Sequence, residues 1–162
     1  MNSIRIVVDS SVLINFLTKG EADKRDNPEW FDHSKWVFEE HERGIHQILM
    51  SAIVIAELAG SGRVRGNHIL KQERHWRIKR VREWIVASEF QVVEITQGLA
   101  EEAAELAIEH QLTGADACIL TATVRHKCPI LYTWDEGLLK IGDQVQVCRF
   151  SNLSDSSLPR VS

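Results

Sequence analysis

What this sequence lacks narrows its class before any motif is read. No apolar run approaches the ~20 residues that a membrane-spanning helix needs. Only Arg5 precedes the first apolar stretch, and Asp9 breaks that stretch early, so no secretory signal is expected. The three cysteines, Cys118, Cys128 and Cys148, are odd in number and show no CxxC or Cys/His spacing, which argues against a disulfide framework and a zinc site. They read as reduced, small apolar thiols. These absences predict a cytoplasmic protein with no membrane partner. The marks of several enzyme classes are missing too. DSSVLIN follows the first apolar run where a dinucleotide site would need G-x-G-x-x-G. No G-x-S-x-G elbow supports Ser10 or Ser11 as a nucleophile. Aspartyl phosphatase chemistry would want a second Asp two residues after Asp9, and Ser11 stands there. The seven histidines form no cluster.

What is present is an ordinary globular chain. Its 162 residues, 44% hydrophobic and 26% charged, suit one domain able to bury roughly 70% of its unfolded surface without staples. Residues 1–150 read as that domain and 151–162 as a polar C-terminal tail. Ile4–Val8 is a β-branched run typical of a strand covered on both faces, and residues 12–17 continue as an apolar helix. After a charged, turn-like stretch at 19–28, residues 29–43 resume a helical pattern, with Trp30, Phe31, Trp36, Val37 and Phe38 as core or subunit contacts and Gly44 as its stop. A second strand is expected at 46–50, Ser51 as the N-cap of a helix over 52–59, a loop over 60–66 and a long helix over 67–87. A third strand at 90–95, an Ala/Glu-rich helix at 97–110, a helix opened by Thr113, a strand at 130–132 after Pro129, a short helix at 136–141 and a final strand at 144–150 complete the chain. Strands alternating with helices predict an α/β fold with a mostly parallel central sheet.

Four carboxylates stand in apolar company. Asp9 and Asp135 each fall just past a strand's carboxyl end, the edge where open α/β sheets bind ligands. Glu57 lies among Ile53, Val54, Ile55, Ala56 and Leu58, and Asp116 begins an apolar helix. Each has a plainer reading, Asp9 as a helix N-cap and Glu57 as a residue on an exposed stripe. Gathered at one edge, the four would repel strongly and call for a hard, oxygen-preferring cation, Mg²⁺ or Mn²⁺. Such a site hydrolyses phosphodiesters by in-line displacement, with Ser10 and Ser11 assisting through their hydroxyls. Trp134, between Thr133 and Asp135, reads either as a packed side chain or as a platform for a base.

The positive charge is concentrated elsewhere. Arg63, Arg65, Lys71, Arg74, Arg77, Lys79, Arg80 and Arg82 face only Glu73 within residues 63–82, although the whole chain carries −4. On the long helix, Trp76, Val81, Trp84 and Ile85 are expected on the inner side and the basic residues largely elsewhere. That density suits a phosphate backbone.

IRIVVDSSVLINFL, SAIVIAEL and LTGADACILTATVRHKCPILYTWDEGL resemble, in order, the three motif blocks of PIN-domain proteins, especially the VapC-type toxins of bacterial toxin-antitoxin pairs. The resemblance implies a three-layer α/β/α sandwich and an endoribonuclease using Mg²⁺ or Mn²⁺. It places Asp9, Glu57 and Asp116 at the family's metal site and Asp135 at a fourth acidic position after a Thr-x pair, with Thr133 as its hydroxyl. It further implies a homodimer and a cognate antitoxin, with RNA as substrate. Ser10-Ser11 replaces the Thr-Asn or Thr-Ser of many relatives and keeps a hydroxyl, and the Trp-containing segment 19–46 is longer than in compact toxins. The alternatives are a PIN nuclease of RNA processing or decay that works without an antitoxin, and a non-catalytic RNA-binding module.

Overall fold

The computed structural model describes residues 2–21, 23–141 and the backbone of 147–148. Its elements follow as β1 (Ile4–Val8), α1 (Ser10–Leu17), α2 (Trp30–Glu42), β2 (His46–Ser51), α3 (Ile53–Gly60), α4 (Gly62–Arg65), α5 (Lys71–Ala87), β3 (Gln91–Val93), α6 (Gln97–His110), α7 (Gly114–Arg125), β4 (Ile130–Tyr132), α8 (Glu136–Leu139) and β5 (Val147–Cys148). The described strands form one parallel sheet in the order β3-β2-β1-β4-β5. In register, Val7 lies between Leu49 on β2 and Leu131 on β4. Ile6, Val7 and Val8 are fully buried, as expected of a central strand covered on both faces.

The order of the strands positions everything else. From β1 the chain steps outward to β2 and β3, then returns across the sheet to place β4 on the other side of β1. Parallel crossovers are right-handed, so this reversal puts α6 and α7 on the face opposite α1 to α5. The packing agrees: α1 lies on α2 and α3, α4 on α5, and α6 on α7. The result is an α/β/α sandwich. On one face Phe16, Phe38, Trp84 and Phe90 form an aromatic cluster, with Phe16 and Phe38 ring centroids 4.4 Å apart. On the other, Thr121 and Thr123 are buried within α7 and return their hydroxyls to the carbonyls of Ala117 and Ile119. Among the described residues no helix is long and apolar enough to cross a membrane.

Local signals explain most boundaries. Thr113 caps α7 by accepting the amide of Asp116, and Gly44, at φ +75°, ends α2 in a conformation that only glycine adopts without strain. Other expectations are corrected. Ser51 closes β2 instead of capping from outside; its Oγ accepts the Ile53 amide at 3.4 Å while Ala52 occupies the cap position. The loop expected at 60–66 contains the short helix α4, and the long helix starts at Lys71, not at residue 67. Trp76 does not face inward: it is 58% exposed, because Ile78, Val81, Trp84 and Ile85 supply the packed side of α5. The third strand is confined to Gln91–Val93. The final strand is described only at Val147–Cys148, and the polar tail lies outside the described residues.

Candidate active site

The order of winding reverses between β1 and β4, and the carboxyl edge of the sheet at such a reversal is where doubly wound folds bind ligands. Asp9 is the first residue past β1, and its amide donates to the Tyr132 carbonyl on β4 at 3.0 Å. It stands at the N-cap position of α1, yet its carboxylate caps nothing. Instead Oδ2 accepts the hydroxyls of Ser11 and Thr133, each at 2.7 Å, and Oδ1 accepts Ser10 at 3.4 Å. Thr133 Oγ1 in turn accepts the Asp135 amide, and Ser11 Oγ accepts the Trp134 amide, both at 2.9 Å. Two strand ends are thus stitched together through one buried carboxylate.

The other three acids arrive from different elements. Glu57 comes from the second turn of α3, Asp116 from the first turn of α7, and Asp135 from the N-cap of α8, where its Oδ1 accepts the Gly137 amide. Burial raises the Asp9 carboxyl above its usual range; the Ser11 and Thr133 hydroxyls oppose the rise, and the Asp135 charge adds to it. Glu57 is raised by burial, then by Asp9 and Asp135, against the lowering effect of the Ser10 hydroxyl. Asp116 is pushed up to about 6, by burial first and then by Asp9 and Asp135, with Thr113 opposing. All four acids therefore share one electrostatic neighbourhood. Glu57 Oε2 is buried there without a hydrogen-bond partner.

A family model for the PIN domain matches residues 6–144. The chain belongs to the PIN-domain family. PIN domains are nucleases, hydrolases by reaction class. Similar solved structures bear out the fold. The Mycobacterium tuberculosis toxin VapC20, a Sarcin-Ricin loop cleaving toxin, superposes with a TM-score of 0.63 at 18% identity over 85% of this chain and 95% of that one. FitAcB from Neisseria gonorrhoeae gives 0.61 at 19% identity, covering 90% of this chain and 98% of that one. A toxin-antitoxin complex from Klebsiella pneumoniae gives 0.54 at 21% identity, covering 80% and 86%. No curated protein matches the chain.

Within this PIN domain the donor set suits a hard divalent cation. Every acidic group offers oxygen donors, burial first and the charges of Asp9 or Asp135 after it hold Asp9, Glu57 and Asp116 above their usual range, and the buried Glu57 Oε2 lacks a hydrogen-bond partner. Among the described residues no three His, Cys, Asp or Glu side chains are already gathered closely enough to grip a metal ion. The cluster is an open one.

The basic residues do not form one stripe. Arg65, Lys71 and Arg74 line a groove of about 510 Å³ with Ala59, His75 and Ile78 on one flank of α5. Arg63, Arg77 and Arg80 line a second, of about 660 Å³, on the other flank, between α5 and the end of α1. Arg77 pairs with Glu73 and Lys79 with Glu83, Arg63 approaches Asp23, and Arg80 lies over the Trp76 ring at 5.5 Å. Arg82 lines neither groove and is exposed. Trp134 is packed, nearly buried against Trp30.

Residues that the motifs do not single out support the site. Trp134 Nε1 donates to Ser34 Oγ at 3.0 Å, Ser34 donates to Asn15 Oδ1 at 2.9 Å, and Asn15 Nδ2 donates to Asp23 at 2.8 Å. Asn15, a polar residue inside the apolar run LINFL, was the visible signal. Cys118 is free and close enough to Glu57 for that charge, after burial, to raise its thiol.

Proposed function

We propose that the chain is a Mg²⁺- or Mn²⁺-dependent endoribonuclease and the toxin of a toxin-antitoxin pair. What supports this reading is the electrostatic influence of Asp9 and Asp135 on Glu57 and Asp116 at the carboxyl edge of β1 and β4, with Glu57 Oε2 buried and unpartnered. In this reading Asp9 and Asp116 hold the principal ion, Glu57 completes the site or orients the attacking water, and Asp135 is an outer or second-metal ligand. When bound, the ion supplies Lewis acidity, lowering the pKa of water and neutralising charge on the phosphate.

The chain's own residues do the rest. Ser11 and Thr133 fix the Asp9 carboxylate in one orientation and favour its charged form. The Ser10 hydroxyl favours the charged form of Glu57. The basic residues around α5 hold the RNA backbone without reading its sequence. Large exposed apolar side chains, Leu70, Trp76 and Val86 about α5 and Ile108 and Val124 on α6 and α7, offer surface that an antitoxin or a second copy would cover. The toxin-antitoxin complexes among the similar solved structures support an antitoxin partner.

The deciding experiment incubates labelled RNA with the purified chain in Mg²⁺, in Mn²⁺ and in EDTA, beside Asp116→Asn. Cleavage with either ion that EDTA and Asp116→Asn both abolish is the expected result. Cleavage that survives in Asp116→Asn would remove that residue from the site. Binding without cleavage in any ion would favour the non-catalytic module.

A further inference from the structure

Beside Asp135 lies a small cleft of about 170 Å³, lined by Asn27, Glu29, Trp30, His33, Trp134, Glu136 and Leu139. It is continuous with the site through the chain itself, because Trp134 and Glu136 flank Asp135. Trp30 and Trp134 stack with centroids 4.4 Å apart and planes within 6°, and the His33 ring lies at 20° to Trp134. The plane of Trp134 is fixed at both ends: its amide donates to Ser11 and its indole N–H to Ser34. Half-buried Trp30 is therefore held parallel to a rigid ring, on the helix that follows the segment 19–28.

We propose that this cleft is a nucleobase subsite that takes a guanine of single-stranded RNA next to the scissile phosphate. The proposal rests on the RNA-cleaving reading of the neighbouring acids and names the substrate feature which that site selects. The volume is below the 300–1,000 Å³ of ordinary ligand pockets, so one flat heterocycle fits and a peptide segment does not. Proteins read single-stranded RNA by stacking unpaired bases on aromatic rings and hydrogen-bonding their Watson–Crick edges. No Lys or Arg lines the cleft, and carboxylates do, which turns phosphate away and favours a base edge rich in donors. Guanine presents adjacent N1–H and N2–H donors, matched to the two oxygens of a carboxylate such as exposed Glu29.

Two measurements test it on the full chain. Binding in EDTA of short oligoribonucleotides carrying one guanosine, or inosine in its place, is followed by fluorescence anisotropy for wild type, Trp30→Phe, Trp30→Ala and Glu29→Gln. Trp30→Ala is expected to weaken binding roughly fivefold to a hundredfold, the range for loss of one base stack, with Trp30→Phe largely restoring it. Inosine is expected to weaken binding to wild type and to make no difference to Glu29→Gln. In the second measurement, cut sites on a random-sequence RNA in Mn²⁺ are expected to cluster beside guanosine for wild type and to lose that bias in Glu29→Gln, with KM raised and kcat retained in Trp30→Ala. Equal affinity for guanosine and inosine oligonucleotides, or unchanged binding by Trp30→Ala, overturns the subsite while leaving cleavage intact. Absence of any cleavage by wild type overturns the nuclease reading instead, and the binding measurement still decides whether the cleft takes a base.

Discussion

The Thr133 hydroxyl donates to Asp9 Oδ2 at 2.7 Å, across 124 positions of sequence. That bond ties the end of the first strand to the end of the fourth, where the order of winding reverses, and it places the most buried acid of the site under the control of a neutral donor. Thr133→Val keeps the shape and removes the donor. It is expected to cost about 1–3 kcal/mol of stability by chemical denaturation. It is also expected to move the acidic limb of the pH-rate profile upward, because a hydroxyl that favours the charged form of Asp9 is gone. An unmoved acidic limb would return Thr133 to a purely structural role.

The three raised carboxyls give the metal-free chain a pH signature. A carboxyl whose folded pKa lies above its unfolded value contributes stability that is complete below the unfolded pKa and lost as pH rises through the folded one. For Asp116 that window runs from 3.8 to about 6, and Asp9 and Glu57 act in the same direction. In EDTA the chain is therefore expected to melt at a lower temperature at pH 7 than at pH 5, with a smaller difference in Asp116→Asn. Adding Mn²⁺ should raise the melting temperature more at pH 7 than at pH 5. An equal rise at both pH values would separate metal binding from these acids.

The two flanks of α5 make a divided prediction for RNA. Arg77 is paired with Glu73, Arg63 lies near Asp23 and Arg80 covers Trp76, whereas Arg65, Lys71 and Arg74 enter no ion pair among the described residues. Joint replacement of Arg65, Lys71 and Arg74 by Ala is expected to reduce the slope of log K against log salt by about 2, near 0.7 for each single-strand phosphate that is no longer neutralised. The same change at Arg63, Arg77 and Arg80 should alter it less. The opposite order would move the RNA path to the groove beside α1.

Asn15 anchors the segment that follows α1. It is fully buried, accepts from Ser34 and donates to Asp23, so Asn15→Ala leaves a buried hydroxyl without its acceptor. A loss of about 1–3 kcal/mol is expected from denaturant unfolding. Because Ser34 also receives the Trp134 indole N–H, tryptophan fluorescence of the folded variant should shift as well.

Much of the fold was legible because its signals are local. The β-branched run at Ile4–Val8, the Thr113 cap and the Gly44 stop depend on a few neighbouring residues, and each produced the element expected of it. The candidate site residues stand out for a related reason. A carboxylate set in an apolar stretch is costly, so Asp9, Glu57 and Asp116 were conspicuous before any neighbour was known. The inner side of α5 was not. Its sequence offers Trp76 and Trp84 alike, and only the packing of Phe16, Phe38 and Phe90 from other elements around Trp84 leaves Trp76 outside.

By itself the sequence determined the alternation of strands and helices, the residues able to bear charge at strand ends, and membership in a family of known fold, since these follow from local pattern and residue chemistry. Tertiary structure alone decided that Asp9 turns from capping α1 to bond with Ser11 and Thr133. It also decided that the basic residues divide between two grooves, and that Trp30 and Trp134 stack beside the acids. The physical reason is the same in each case: the partner lies on another element, and sheet order, not chain order, sets which side chains meet.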